Sequence, residues 1–135
     1  MLSTGTRGLL RLGEMTAPDN LQIRDPSEFS LRARVEFIDD DSFGFWLQTH
    51  KTDHAFEGAR IIITHHTRLD TPGIFHAYIA SRDELFPLNP YLWVTSAGEV
   101  PTRSWFMKRF RTIFPDHSFG GQSMRAGGAT LLAED

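Results

Sequence analysis

The sequence predicts an α+β fold, mainly helical, with one small three-stranded antiparallel sheet. Three observations carry this. Two β-type runs flank an acidic turn, Asp39-Asp40-Asp41-Ser42, and a third follows after a polar loop. Two later segments open on Thr/Pro helix-start signals and continue with aromatic residues at helical spacing. The 135 residues are 40% hydrophobic, with eleven Phe and no Cys, enough for one modest core that needs no disulfide.

Thr6 to Ala17 reads as the first helix. Leu9, Leu12 and Met15 recur at helical spacing, and Pro18 stops it. On that helix Arg7 and Arg11 stand one turn apart, and Glu14 is an i,i+3 neighbour of Arg11. Asp19 to Phe29 is a polar connection. Leu31 to Ile38 alternates, with Leu31, Ala33, Val35 and Phe37 on the apolar face, and reads as the first strand. Phe43 to His50 is the second and Arg60 to His66 the third. Lys51 opens the loop between them.

In the next helix Thr71 is expected as N-cap and Pro72 at the first helical position. Phe75, Tyr78, Ile79 and Phe86 form its buried face, and Pro87 ends it. Pro90 to Val94 is short and apolar, and Ser96-Ala97-Gly98 turns the chain. Pro101-Thr102 starts a helix that runs to Pro115, with Phe106, Phe110, Ile113 and Phe114 as its stripe and Lys108 and Arg111 opposite. Gly120-Gly121 then feeds a last short helix across Gln122 to Ala133, with Arg125 near its start. A glycine within a helix costs about 1 kcal/mol relative to alanine. Gly127 and Gly128 therefore point to close backbone packing. Both ends are abrupt, and residues 1–135 read as a single partial domain cut from a larger one.

Composition excludes several chemistries. Without cysteine there are no disulfides, thiolate zinc sites or cysteine nucleophiles. No apolar run is long enough to span a membrane, and the N-terminus lacks the apolar core of a secretion signal. The histidines match no zinc pattern: His50 and His54 straddle a loop start, and His65-His66 point to opposite faces of a strand. Asp39-Asp40-Asp41 lacks the glycine and distant glutamate of a calcium loop. Gly120-Gly121 and Gly127-Gly128 are not followed by Lys-Ser/Thr and form no P-loop. The formal net charge is −3, yet between Pro101 and Arg125 five basic residues face a single acid, Asp116.

What remains is a set of cations at element ends: Arg11, Lys51 and Arg125. Arg11-Leu12-Gly13-Glu14 resembles the Arg-x-x-Glu of the first catalytic arginine in tyrosine recombinases. A three-stranded sheet with a lysine between its second and third strands is also that family's arrangement. Gln122-Ser123-Met124-Arg125 resembles its His-x-x-Arg. Arg125-Ala126-Gly127-Gly128-Ala129-Thr130 and Pro101-Thr102-Arg103-Ser104-Trp105-Phe106 are similar to fungal mobile-element members. The resemblance runs in order along nearly the whole chain.

The resemblance implies the catalytic domain of an enzyme that breaks and rejoins duplex DNA through a 3′-phosphotyrosine, without metal or cofactor. Arg11 and Arg125 would clamp the scissile phosphate, Lys51 would protonate the leaving 5′ oxygen, and Glu14 would orient Arg11 from behind. The implied partners are duplex DNA and other recombinase protomers, and the implied location is the nucleus if the host is eukaryotic. Gln122 stands where the family has histidine; it can donate a hydrogen bond to a phosphate oxygen but cannot shuttle a proton. Tyr78 and Tyr91, the two tyrosines, sit in apolar surroundings and match no nucleophile position. The expectation is therefore a truncated domain that keeps a DNA-backbone surface without turnover. Two other readings stay open: a catalytically inactive remnant used as a DNA- or partner-binding module, and a small domain whose arginines all serve structural ion pairs.

Overall fold

The structure is a computed structural model that describes residues 1–48, 58–116, 118, 120, 122 and 127–130. Its named elements are helix α1 (Leu2–Arg7), strands β1 (Glu36–Asp39), β2 (Ser42–Leu47) and β3 (Ala59–Thr64), and helices α2 (Thr71–Leu85) and α3 (Arg103–Ile113). Residues 127–130 are also helical. The α+β class expected from the sequence is the class observed. The sheet is antiparallel in the order β1-β2-β3, with Phe43 opposite Ile63 and Phe45 opposite Ile61.

The core gathers where β2 meets α2. Phe43 and Phe45 alternate onto one face of β2 and are fully buried. Phe43 stacks on Phe75 of α2, with ring centroids 3.8 Å apart and planes within 2° of parallel. Trp93 closes the cluster, edge-on to both Phe45 and Phe75. The α2 face that turns inward is Phe75, Ile79 and Arg82, at i, i+4 and i+7. Asp70, rather than Thr71, is the N-cap: its carboxylate accepts from the Gly73 amide at 3.1 Å. Thr71 instead pairs with Ser3 at 2.6 Å between their hydroxyls and so ties α1 to α2.

Three sequence expectations shift. The first helix does not run from Thr6 to Ala17. It ends at Arg7, and Leu9 takes a left-handed φ of 55°. The chain then swings Leu10 and Leu12 into the core, 1% and 4% exposed, before a 3₁₀ turn at Leu12–Glu14. One straight helix would spread these leucines over more than one face. Second, the strand expected from Leu31 is confined to Glu36–Asp39, because Arg32–Arg34 forms a 3₁₀ turn. That turn sends the Arg32 guanidinium to Asp83 in a bidentate pair, at 3.0 and 2.9 Å. Third, the apolar stripe of α3 stops at Phe110: Ile113 is 60% exposed and Phe114 38%.

The glycine argument holds at one of its two positions. Gly128 is buried, and a Cβ there would run into the Thr6 carbonyl, so the C-terminal turn rests directly on α1. Gly127 has open space around it. The predicted end of β2 at His50 lies outside the described residues, as does the loop that begins with Lys51.

Candidate functional site

Two long-range backbone seams create a cavity beside the sheet. In the first, the Ala17 amide donates to the Pro101 carbonyl at 2.8 Å and the Arg103 amide to the Ala17 carbonyl at 3.0 Å. This fastens the Leu12–Glu14 turn next to the start of α3. Asp19 reinforces the seam by accepting from the Ser104 hydroxyl and amide at 2.5 and 3.3 Å. The Ser104 hydrogen bonds hold its carboxyl below the usual carboxylate range, and the charge suits a helix N-terminus. In the second seam, the Leu92 amide donates to the Ser30 carbonyl at 2.8 Å and the Arg32 amide to the Pro90 carbonyl at 2.9 Å.

The space between the seams is a cavity of about 450 Å³, within the range of small-ligand sites. Aromatic and apolar side chains line it, including Phe29, Tyr91, Trp93 and Leu47. Phe29 and Tyr91 meet edge-on at 5.4 Å. Its lining also includes Arg11, Arg103, Glu14 and Glu28, with Gln48 at the end of β2. Arg11, Arg103 and Glu28 are exposed and therefore sit toward the open side, and Glu14 is half-buried. Ser30 and Trp93 are among the lining residues and are 5% and 3% exposed. Ser30 Oγ and Trp93 Nε1 are buried polar atoms with no hydrogen-bond partner among the described residues. Such groups are costly to leave unpaired.

Arginine partners separate sharply. Arg32, Arg60 and Arg82 are held in ion pairs with Asp83 or Glu36. Arg7 and Arg24 donate to the carbonyls of Thr64 and Pro18, and Arg34 and Arg109 lie over Trp46 and Trp105. Arg111 reaches the Asp116 carbonyl, and Arg68 is also engaged. Among the described arginines, only Arg11 and Arg103 have a side chain without a hydrogen bond, ion pair or ring contact. Both line the same cavity.

The sequence-derived site residues fall out as follows. Arg11 is the residue that caps the Leu12–Glu14 turn, in extended conformation with ψ 149°. The shortened α1 removes the shared helical face expected for Arg7 and Arg11. Glu14 lines the cavity beside Arg11, but no ion pair joins them, so the i,i+3 support expected from a continuous helix is not made. Gln122 is exposed in a turn, its side chain folded over Gly120, and is not among the residues lining the cavity. Lys51 and Arg125 lie outside the described residues.

Tyr78 is structural. Its hydroxyl donates to the Leu92 carbonyl at 2.7 Å and accepts from the Val94 amide at 2.9 Å, and burial pushes its pKa up. Arg103, Ser30 and Trp93 were missed by sequence reasoning. Arg103 had one usable signal, its place in the basic run after Pro101.

Among the described residues no three His, Asp or Glu side chains cluster to hold a metal, and no helix is long and apolar enough to cross a membrane. No protein-family model, no curated protein and no solved structure matches the chain.

Proposed function

We propose that this chain binds the phosphate backbone of duplex DNA, as a catalytic-domain sequence of the tyrosine recombinase type. The observation that carries the reading is the pair Arg11 and Arg103: the unpartnered arginines of the described chain share one cavity, beside the end of β2. An arginine left without a protein carboxylate keeps its donor fork for a phosphate. The α3 helix extends the basic surface with Lys108 and Arg109, both exposed. The order of the parts, an arginine-bearing turn, then a three-stranded sheet, then helices, is the order in which the resemblance runs.

In this reading Arg11 and Arg125 stabilise charge on the non-bridging oxygens of one phosphate. Lys51 is the proton donor to the 5′ oxygen. Gln122 contributes a neutral hydrogen bond, and Glu14 supplies local negative charge beside Arg11. Neither tyrosine of the sequence fits the nucleophile, since the Tyr78 hydroxyl is doubly engaged and Tyr91 packs edge-on against Phe29. The function proposed for the chain itself is therefore binding. An inactive DNA-binding remnant makes the same contacts. The reading without nucleic acid, in which every arginine is structural, is disfavoured by Arg11 and Arg103.

The test is a titration of a fluorescent duplex against salt. Binding that weakens steeply as salt rises is expected, with the slope of log K against log salt reduced by about 0.9 in Arg11→Ala. Absence of binding at low salt would sink the proposal.

A further inference from the structure

The charges that line the cavity are of both signs. Arg11, Arg103 and Glu28 are exposed at its mouth, and Glu14 is half-buried. They reach it from two segments. The Ala17 seam sets the turn that carries Arg11 and Glu14 next to Arg103 at the start of α3, whereas Glu28 ends a 3₁₀ turn that leads into the Ser30 seam. Among the described residues none of the four side chains makes a hydrogen bond or an ion pair. Two cations and two anions therefore share one cavity without satisfying one another. Much of the remaining lining is apolar: Pro18, Phe29, Tyr91 and Val100 are half-buried members of it.

We propose that this cavity binds a free α-amino acid with a large apolar side chain, its carboxylate held by Arg11 and Arg103, its ammonium by Glu28 and its side chain against Phe29 and Tyr91. Elimination selects this ligand class. A plain anion filling the cavity would answer the guanidinium forks but meet a like charge at Glu28. A plain cation would meet the reverse. A neutral apolar molecule would cover four charges and pair none of them. A zwitterion answers both signs at once, since its carboxylate only accepts hydrogen bonds and its ammonium only donates them. Both charged groups then lie on one carbon, and the side chain is left for the apolar wall, where an aromatic or branched group loses water-exposed surface. A volume of about 450 Å³ lies in the range of small-ligand sites. The inference goes beyond the DNA reading: it uses the same arginines but needs no nucleic acid.

The experiment titrates four probes into the full chain by calorimetry: L-phenylalanine, 3-phenylpropionate, which lacks the ammonium, 2-phenylethylamine, which lacks the carboxylate, and glycine, which lacks the side chain. Phenylalanine is expected to saturate, and each of the others to bind at least about tenfold more weakly, the scale of one charge-assisted hydrogen bond or one buried ring. Two variants then separate the ends of the ligand. Glu28→Gln keeps the shape and removes the charge; it should weaken phenylalanine about tenfold and leave 3-phenylpropionate no weaker. Arg103→Ala should weaken phenylalanine and 3-phenylpropionate and leave 2-phenylethylamine no weaker. Both residues are exposed and without a protein partner, so neither substitution threatens the fold.

Absence of saturable phenylalanine binding overturns the proposal. So does 3-phenylpropionate or 2-phenylethylamine binding as tightly as phenylalanine, because one charge would then suffice, and so does glycine doing so, because the apolar wall would then contribute nothing. Phenylalanine affinity unchanged in both variants also overturns it. No probe here contains nucleic acid, so the DNA reading stands or falls separately, by its own salt titration.

Discussion

Arg82 and Arg11 are the same residue type in opposite circumstances. Arg82 lies on the inner face of α2, 3% exposed. It donates to Asp83 at 2.7 Å and to the carbonyls of Asn89 and Tyr91 at 2.5 and 2.7 Å. It thereby pins the loop after α2 to the helix and supports the strand-like segment that carries Trp93. Arg11 is exposed at the start of a 3₁₀ turn, and nothing in the described chain meets its guanidinium. The fold engages both terminal nitrogens of one buried arginine and leaves the exposed guanidinium of another open. The contrast also explains why charge counting is a poor guide here: several of the basic residues are already paired or stacked within the protein, so a net charge of −3 says little about the cavity.

The largest effect that could break this contrast is at Arg82. Arg82→Ala should destabilise the fold by about 3 kcal/mol, because it strands buried carbonyls and removes a charge partner of Asp83. Denaturant unfolding checks it; a loss under about 0.5 kcal/mol, the scale of ordinary surface changes, would mean that the buried network is not structural. Next comes Gly128→Ala, which forces a methyl group against the Thr6 backbone carbonyl and should cost about 1–3 kcal/mol. The same substitution at Gly127, where nothing crowds, should not destabilise. A thermal melt of the two variants side by side reads the difference.

These contrasts mark how far sequence reasoning reached. Helices α2 and α3 were legible because their signals are local: Asp70-Thr71-Pro72 and Thr102 at the starts, Phe75/Ile79 and Phe106/Phe110 along the buried faces. Even so, the cap moved by one residue to Asp70. The sheet was legible through its alternating runs. The first helix was not, since a leucine at φ 55° is set by the burial of Leu10 and Leu12 and has no local marker. The turn at Arg32–Arg34 was hidden for a similar reason: its alternation looks like a strand, and the reason to bend is Asp83, 51 residues away. Of the candidate site, Arg11 was legible as a motif. The cavity was not, because Ser30, Trp93 and Arg103 come together only through the backbone seams at Ala17–Pro101 and Ser30–Leu92.

A smaller effect separates the two arginines by pH. Asp83 has its pKa lowered, first by the Arg32 hydrogen bonds and then by those of Arg82. A carboxylate whose folded pKa is below its unfolded one contributes stability above the unfolded value near 3.8, and that contribution is lost as pH falls through the folded pKa. The Asp83 side chain is 37% exposed, so solvent screens the pair and the contribution is modest. Melting temperature should therefore decline from pH 5 to pH 2 (round numbers, about one unit above to about two below the unfolded pKa), and Asp83→Asn should flatten part of that decline. An unchanged profile in the variant would remove Asp83 from the account.

The smallest stability effect is expected at Arg11, and it is the most informative about function. Arg11→Ala deletes an exposed side chain without a protein partner, so its unfolding free energy should stay within about 0.5 kcal/mol of the parent. Arg103→Ala should behave alike, since the α3 N-terminus is capped by Thr102 and Asp19 rather than by the arginine. In DNA titrations both should weaken binding, and Arg11→Lys should restore part of the charge but not the bidentate fork. If instead Arg11→Ala lowers stability as Arg82→Ala does, then Arg11 has a structural partner outside the described residues. If it changes neither stability nor binding, the open cation beside the cavity is an ordinary surface charge. Only the combination of unchanged folding and weakened, less salt-dependent binding makes the unpartnered arginine a phosphate ligand.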